Sequence, residues 1–319
     1  MAMDKSALSA LKVGENQASV VLEARRKALR RRQQVLKTHR NPMVLHNKAF
    51  LLAGEEPPDA LVSRTAGVLV AEGDSWFDYP LHDVLKALDD EHGYSVESVS
   101  HAGDAIEQMA YENGQLDDFT RRIEKVLAAG AAPKAILLSG GGNDLAGTEF
   151  GMLLNHSQSA ARGLNESVVK GVIDERIRSA YVTILNAITA VCKSQAGHAV
   201  PILLHGYDYP VPDGRGFLGG WGLLPGPWME PGFRQKGFDQ LSERIAIAKA
   251  LIDRLNAMIK GVAALAPFAH VRYVDLRKTL SNDTTNNQYK DSWANEMHPT
   301  PDGFVKVADR FAKVLRSLA

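Results

Sequence analysis

The sequence has little that would place the protein in a specialised class. Its one cysteine, Cys192, cannot form an internal disulfide bond and excludes a cluster of thiolate metal ligands. No apolar run approaches the roughly 18 residues that predict a transmembrane helix. The 37 basic residues balance the 37 acidic ones, so no specific binding of nucleic acid is expected. The N-terminus lacks the charged and then apolar order of a secretion signal, and we expect a soluble, cytoplasmic protein.

The first fifty residues differ in composition from the remainder of the 319-residue chain. Residues 22–40 contain eight basic residues against one acidic residue, and apolar pairs recur every seven positions from Val21 and Leu22 onward. This spacing predicts one helix with an apolar stripe. We expect a basic helical extension over residues 1–53 that docks on the other part of the protein. The alternatives are contact of residues 22–40 with an anionic membrane or nucleic acid, and burial of the stripe in a homo-oligomer.

Beyond a linker at residues 54–59, short apolar runs alternate with helical patterns. The runs predicted as buried strands are Val68–Glu72, Tyr94–Ser100, Ala135–Ser139, Pro201–Tyr207 and Val271–Leu276. The helical patterns are Leu81–Glu91, Asp104–Asn113, Leu116–Ala129, Ser167–Ser194, Gln240–Ala264 and a last helix that Thr300 caps and Pro301 begins. This alternation predicts an α/β domain over residues 60–319, with a mostly parallel sheet covered on both faces.

Residues 206–237 interrupt the alternation with nine of the 27 glycines and five of the 14 prolines. A loop of this length without its own periodicity is usually functional or disordered. Because it follows the fourth predicted strand, we expect this insertion to cover the substrate side of the sheet edge. The candidate substrate contacts are Trp221 and Trp228 of the insertion, together with Trp76 of the first strand-end loop. The alternative is a structural tail that packs on the sheet.

Residues suited to nucleophilic catalysis follow three of the predicted strands and precede the last helix. Ser75 lies in a Gly-Asp-Ser turn after the first strand, Gly103 follows the second, and Asn143 follows three glycines after the third. His298 directly precedes the last helix. Right-handed crossovers place such loops along one sheet edge. Nucleophilic catalysis needs a hydroxyl, a base and donors for an oxyanion, and Ser75, His298, and Gly103 with Asn143 fill these roles in turn.

The order Gly-Asp-Ser75, Gly103, Gly-x-Asn143-Asp and His298-Pro resembles the SGNH (GDSL-type) hydrolase superfamily from about Val68 to the C-terminus. The resemblance implies a three-layer α/β/α sandwich with a five-stranded, mostly parallel sheet. It also implies an oxyanion hole formed by the N–H groups of Ser75 and Gly103 and the Asn143 amide. The implied activity is that of a serine hydrolase that cleaves a small-molecule ester or lipid through an acyl-enzyme. We expect neither a cofactor nor a metal.

The sequence departs from the family pattern at position 295, where Asn replaces the usual Asp of Asp-x-x-His. An amide oxygen can accept the imidazole N–H and orient His298, but it carries no charge with which to stabilise the imidazolium. The orienting group could therefore be Asn295, a displaced Glu296 or Asp291, or a backbone carbonyl. We expect an active enzyme with reduced turnover. The alternative is an inactive relative that binds an acylated or glycosidic ligand.

Two other classes of site are disfavoured by their spacing. A metallophosphoesterase needs several histidine and aspartate ligands on convergent loops, yet no histidine follows Asn143-Asp144 and no His-x-His occurs late in the chain. The turn at Gly140–Gly142 lacks the third glycine of a dinucleotide-binding turn. We therefore interpret Asp74 and Asp144 as scaffold residues that accept hydrogen bonds from turn amides.

Overall fold

The computed structural model of the protein describes residues 5–38, 65–112, 114–129, 132–219 and 224–318. Its central sheet has five parallel strands, which are β1 (Val68–Glu72), β2 (Ser95–Ser98), β3 (Ala135–Leu138), β6 (Ile202–His205) and β7 (Val271–Val274). Their order across the sheet is β2-β1-β3-β6-β7. A separate antiparallel pair consists of β4 (Leu154–Asn155) and β5 (Gly163–Leu164). The predicted strands are confirmed.

The helices are α1 (Lys5–Thr38), α2 (Val84–Asp90), α3 (Ile106–Tyr111), α4 (Gln115–Ala128), α5 (Glu166–Val169), α6 (Arg178–Ala196), α7 (Glu230–Gln235), α8 (Leu241–Ala263) and α9 (Pro301–Ser317). A π-helical segment, Lys170–Ile177, joins α5 to α6. Helices α2 and α9 contact each other on one face of the sheet, while α3, α4, α6 and α8 form the layer on the other face. The expected three-layer α/β/α sandwich is confirmed. A helix long and apolar enough to cross a membrane is absent from the described ranges.

The apolar character of the strands explains why the sheet lies in the core. All four residues of β3 are fully buried, and β1 pairs with β3 through Leu69 opposite Ala135. Strand β2 lies at the edge of the sheet and pairs with β1 alone. It spans Ser95–Ser98 and is therefore shorter than the predicted Tyr94–Ser100. Beyond Ser98 the chain still follows β1, because the N–H groups of Val99 and His101 each donate to a carbonyl oxygen of the first strand or its loop, at 3.0 Å.

Helix α9 begins where its sequence signals predict. The Thr300 side chain accepts a hydrogen bond from the N–H of Gly303 at 3.1 Å, and Pro301 occupies the first position, where its missing N–H costs no helical bond. The apolar face is buried; its largest members are Phe304, Val307, Phe311 and Leu315. This helix therefore fixes the position of the loop that precedes it, which carries His298.

The N-terminal helix α1 packs on the outer side of α6 through small residues. Ala7, Ala10, Leu11 and Ala18 are buried there, and a Cβ at Gly14 would lie 2.5 Å from Nδ2 of Asn186. Among the side chains that the structure describes, this docked surface extends from Ala7 to Val21, which packs against the core. Most side chains of residues 22–38 and all of residues 39–64 lie outside the described part. The membrane contact through residues 22–40, the homo-oligomer and the domain limits 1–53 and 60–319 stay predictions.

Candidate active site

The turn that carries Ser75 is held by the carboxylate of Asp74. Oδ1 of Asp74 accepts from the Trp76 N–H at 3.0 Å and from the Ser139 hydroxyl at 2.7 Å, and Oδ2 accepts from the Tyr207 hydroxyl. These bonds tie the end of β1 to the loops after β3 and β6. Gly73 permits this approach, since a Cβ there would lie 2.6 Å from the Ser139 Cβ. The contacts agree with the scaffold role expected for Asp74.

Ser75, His298 and Asn295 form one hydrogen-bonded line. Oγ of Ser75 lies 2.7 Å from Nε2 of His298, and Nδ1 of His298 lies 3.0 Å from Oδ1 of Asn295. Oδ1 also accepts from the N–H groups of Met297 (3.0 Å) and His298 (2.9 Å), while Nδ2 donates to the Tyr79 hydroxyl at 3.1 Å. These donors fix the amide orientation and assign the ring proton to Nδ1. The lone pair of Nε2 is therefore free to accept the Ser75 proton.

The imidazole of His298 is buried and uncharged. Burial lowers the pKa of His298 to about 3, so the ring is neutral at physiological pH. Its two nitrogens are occupied by the Ser75 hydroxyl and the Asn295 amide. A neutral ring with this tautomer has the form that a general base requires.

Glu296 does not replace the missing carboxylate beside His298. Its side chain is fully buried and turns toward the insertion, where it accepts from four backbone N–H groups at 2.8–3.2 Å, those of Gly214, Trp228, Met229 and Glu230. Asp291 is exposed, and its carbonyl oxygen accepts from the Thr300 hydroxyl at 2.8 Å. Of the orienting groups considered from the sequence, Asn295 is the one in contact with the ring. Glu296 instead joins the insertion to the loop of His298.

Aromatic rings surround the imidazole. The Tyr79 ring stacks on it at a centroid distance of 4.3 Å, and the half-buried Trp228 ring meets it edge-on at 5.3 Å. Trp76 is buried, and its Nε1 donates to the Met297 carbonyl oxygen at 3.1 Å, which joins the loops of Ser75 and His298. Trp221 lies outside the described residues. Substrate contact by Trp76, Trp221 and Trp228 therefore stays a prediction, and so does the cover formed by the insertion.

The two remaining oxyanion-hole candidates, Gly103 and Asn143, line one open groove. Gly103 is exposed and has φ +97°, a left-handed conformation that favours glycine. One hydrogen of the Asn143 amide donates to the Asp104 carbonyl oxygen at 2.9 Å, which leaves the second for a ligand. The Gly103 loop is tied to the Ser75 loop by the Ala102 N–H, which donates to the Asp78 carboxylate at 3.1 Å. Their role as oxyanion donors stays a prediction.

Asp144, next to Asn143, also lines this groove. Its carboxylate accepts from the N–H of Ile106 in the first turn of α3 at 2.9 Å. Burial raises the pKa of Asp144 to about 6. The contact agrees with the scaffold role expected from the sequence. Within the described residues, no group of three His, Cys, Asp or Glu side chains is placed to hold a metal ion.

Glu72, the last residue of β1, is a buried carboxyl three residues before Ser75. It is 2% exposed, and its Oε1 has no hydrogen-bond partner. Burial raises the pKa of Glu72 to about 9, with a further contribution from the carboxylates of Asp104 and Asp118. The folded protein therefore holds this carboxyl in its protonated form at neutral pH.

We expect Glu72→Gln to be more stable than the wild type at pH 8 and equally stable at pH 4. The folded carboxyl keeps its proton up to about pH 9 and the ordinary value is 4.5, so unfolding releases a proton between them and stability falls as pH rises. The neutral amide avoids this loss, which grows by about 1.4 kcal/mol per pH unit above the ordinary pKa and reaches on the order of 5 kcal/mol by pH 8. Urea denaturation at pH 4, 6 and 8 measures it. The exposed Glu91→Gln is the control; a pH-independent difference would contradict the protonated carboxyl.

Sequence reasoning missed Tyr79, which both stacks on His298 and accepts from Asn295. The available signal was its place four residues after Ser75, in the turn that leaves the first strand. The contact of Glu296 with the insertion was also missed from the sequence, because the residues of the Asn-Glu-Met-His segment do not indicate the direction in which each side chain points.

Residues 63–305 match the model of the GDSL-like lipase/acylhydrolase family, which is well over half of the chain. The chain belongs to this family. It is accordingly a carboxylic ester hydrolase, as the sequence analysis expected.

Solved structures of low sequence identity are similar to the chain. One is an extracellular lipase from Streptomyces rimosus, with 16% identity, TM-score 0.45, and coverage of 80% of this chain and 100% of that one. Another is an acetylxylan esterase from Geobacillus stearothermophilus, with 14% identity, TM-score 0.39, and coverage of 79% and 94%. These similarities do not identify a substrate. Among curated proteins, none matches the sequence.

Proposed function

We propose that the protein is a serine hydrolase that cleaves a carboxylic ester through an acyl-enzyme. The observation that carries the proposal is the hydrogen-bonded line from Ser75 through His298 to Asn295. It joins a strand-end loop to the loop before α9, 223 residues apart in sequence. A buried serine hydroxyl bonded to a neutral imidazole of the correct tautomer is the arrangement that activates a hydroxyl nucleophile.

The chemistry then follows ordinary acyl transfer. Nε2 of His298 takes the Ser75 proton while Oγ forms a bond to the ester carbonyl carbon. The resulting oxyanion accepts from the N–H groups of Ser75 and Gly103 and from the second amide hydrogen of Asn143. The carbon–oxygen bond to the alcohol breaks, and the alcohol leaves with the proton from His298. Water then repeats these steps on the acyl-enzyme and releases the acid.

The positive charge that forms on His298 has no carboxylate beside it. The Asn295 oxygen accepts a hydrogen bond from the Nδ1–H group of His298 and stabilises the imidazolium through the dipole of its amide alone. The stacked Tyr79 ring adds a cation–π attraction, worth about 0.5–2 kcal/mol in such contacts. These two contributions support turnover at a rate below that of an enzyme with an aspartate at position 295.

A fluorophosphonate probe tests the proposal. We expect one adduct per chain on the wild type, located at Ser75 by mass spectrometry, and none on Ser75→Ala. The exposed Ser159→Ala is the matched control and should be labelled like the wild type. If the wild type is neither labelled nor active on any ester, the proposal is wrong and the binding of an acylated or glycosidic ligand becomes the better explanation.

A further inference from the structure

An apolar pocket with a cavity volume of about 50 Å³ adjoins the candidate active site. The loops of the site supply part of its wall: Trp76 follows Ser75, Met297 precedes His298, and Gly142 and Leu145 flank Asn143. The insertion contributes Met229, and α8 contributes Ala248 and Leu251. The pocket is thus built by the elements that place the nucleophile, the base and an oxyanion donor.

The pocket opens beside the site residues. Most of its lining is buried, whereas Gly142, Ala146, Ile252 and Met297 remain partly exposed, and Gly142 and Met297 adjoin Asn143 and His298. The open groove that contains Gly103 and Asn143 shares Leu145, Ala146 and Phe150 with the pocket. An ester whose carbonyl oxygen lies at Gly103 and Asn143 can therefore place one substituent in the pocket and the other in the groove.

Few polar atoms of the pocket are available to a ligand. The Asp208 carboxylate already accepts from four backbone N–H groups at 2.6–2.8 Å, and the Tyr207 hydroxyl donates to Asp74. The indole Nε1 of Trp293 is buried without a partner and offers one hydrogen bond. One donor cannot satisfy the several hydroxyls of a sugar, whereas aliphatic carbon needs no partner.

We propose that this pocket binds the acyl chain of the substrate, and that the enzyme acts on esters of aliphatic acids longer than acetate. The inference rests on the proposed function and specifies its substrate. The acyl group stays attached to Ser75 while the alcohol departs and water enters. The apolar pocket, whose lining is mostly buried, therefore suits the acyl chain, and the more polar groove of Gly103 and Asn143 suits the alcohol. Ala248 and Leu251 of α8 line the pocket, and we expect them to limit the length of the chain.

A series of p-nitrophenyl esters from acetate to decanoate tests the proposal. Each methylene transferred from water to an apolar pocket is worth about a fourfold gain in kcat/KM. We expect kcat/KM of the wild type to rise by about that factor per methylene until the chain reaches α8, and then to level or fall.

Ala248→Leu and Ala250→Leu form a matched pair on α8, because Ala248 lies in the pocket wall and Ala250 is exposed. We expect Ala248→Leu to lower the hexanoate-to-acetate ratio of kcat/KM by about tenfold or more, as two or more methylenes are excluded. Ala250→Leu should keep the ratio of the wild type. Leu251→Ala enlarges the pocket, and we expect the preferred substrate of this variant to be an ester of a longer acid. This variant tests the proposal even if Ala248→Leu does not fold.

Several outcomes would overturn the proposal. A flat wild-type profile, or equal profiles for both alanine variants and for Leu251→Ala, would show that the pocket does not hold the acyl chain. If Ala248→Leu instead discriminates among acetate esters of different alcohols, the pocket holds the alcohol. Both results leave an enzyme that fluorophosphonate labels, so they are distinct from failure of the proposed function, in which no ester is cleaved and no label is bound.

Discussion

Replacing His298 with alanine is expected to lower kcat at pH 7 by about 10⁴-fold or more, the loss seen when a triad member is removed from a serine hydrolase. The imidazole is the group that contacts the Ser75 hydroxyl, at 2.7 Å, and its assigned tautomer leaves Nε2 free to accept the proton. Without the imidazole, the Ser75 oxygen must attack the ester while its own proton is still bound. Steady-state hydrolysis of an activated ester measures the loss, and the rate of fluorophosphonate labelling should fall with it.

The exposed His198→Ala serves as the control, since it removes an imidazole whose Nδ1 donates a hydrogen bond to the nearby Ala196 carbonyl oxygen. Circular dichroism should show that both variants are folded. A loss below tenfold in His298→Ala would mean that His298 is not the base. Imidazole added to the buffer should restore part of the activity if the cavity left by the ring admits it.

The placement of the candidate site residues was largely predictable, because they lie in strand-end loops and in the loop before the last helix. Ser75, Gly103, Asn143 and His298 follow from the alternation of apolar runs and helical patterns, and the structure brings Ser75 and His298 into contact. The group that orients His298 was not predictable. Asn295 and Glu296 are neighbours that face opposite ways, and the direction of Glu296 is set by backbone N–H groups of the insertion, 66 or more residues away.

The docking of α1 also uses residues that the pattern of large apolar pairs did not single out. Val21, the first residue of those pairs, packs against the core, and the described buried face further contains Ala7, Ala10, Leu11, Gly14 and Ala18. Small residues at helical spacing let two helix backbones approach closely, a signal that a search for large apolar side chains overlooks. The two-residue strands β4 and β5 and the six-residue α7 also escaped prediction, since elements so short show no period.

Asn295→Asp is expected to reverse the pH behaviour of the enzyme. The new carboxylate would accept from Nδ1 of His298 and from the N–H groups of Met297 and His298, and the Tyr79 hydroxyl could turn to donate to it. These donors favour the ionised aspartate, and its charge raises the pKa of His298 from about 3 toward the ordinary range near 6.5. A more basic imidazole is a stronger proton acceptor, and its cation gains a partner.

The pH profiles of kcat/KM should therefore cross. At pH 8 the aspartate variant should exceed the wild type by about 10²-fold, because the charge that stabilises the imidazolium is restored. Below its raised pKa the variant should lose about tenfold per pH unit as the base becomes protonated, whereas the wild-type imidazole stays neutral at pH 5. Burial also lowers the pKa of His205, which makes an unfavourable contribution to folded stability below about pH 6.5, opposite in sign to that of Glu72, so circular dichroism must accompany each point.

The exposed Asn286→Asp adds the same charge away from the ring and should keep the wild-type profile. If Asn295→Asp leaves the profile unchanged, the charge of His298 does not limit the reaction, and the stacked Tyr79 ring and the Asn295 dipole already stabilise the transition state sufficiently. If the variant is slower at every pH while it remains folded, the amide is required for its donation to Tyr79. The crossing of the two profiles distinguishes an electrostatic role of position 295 from a purely geometric one, because geometry alone would change the rate equally at all pH values.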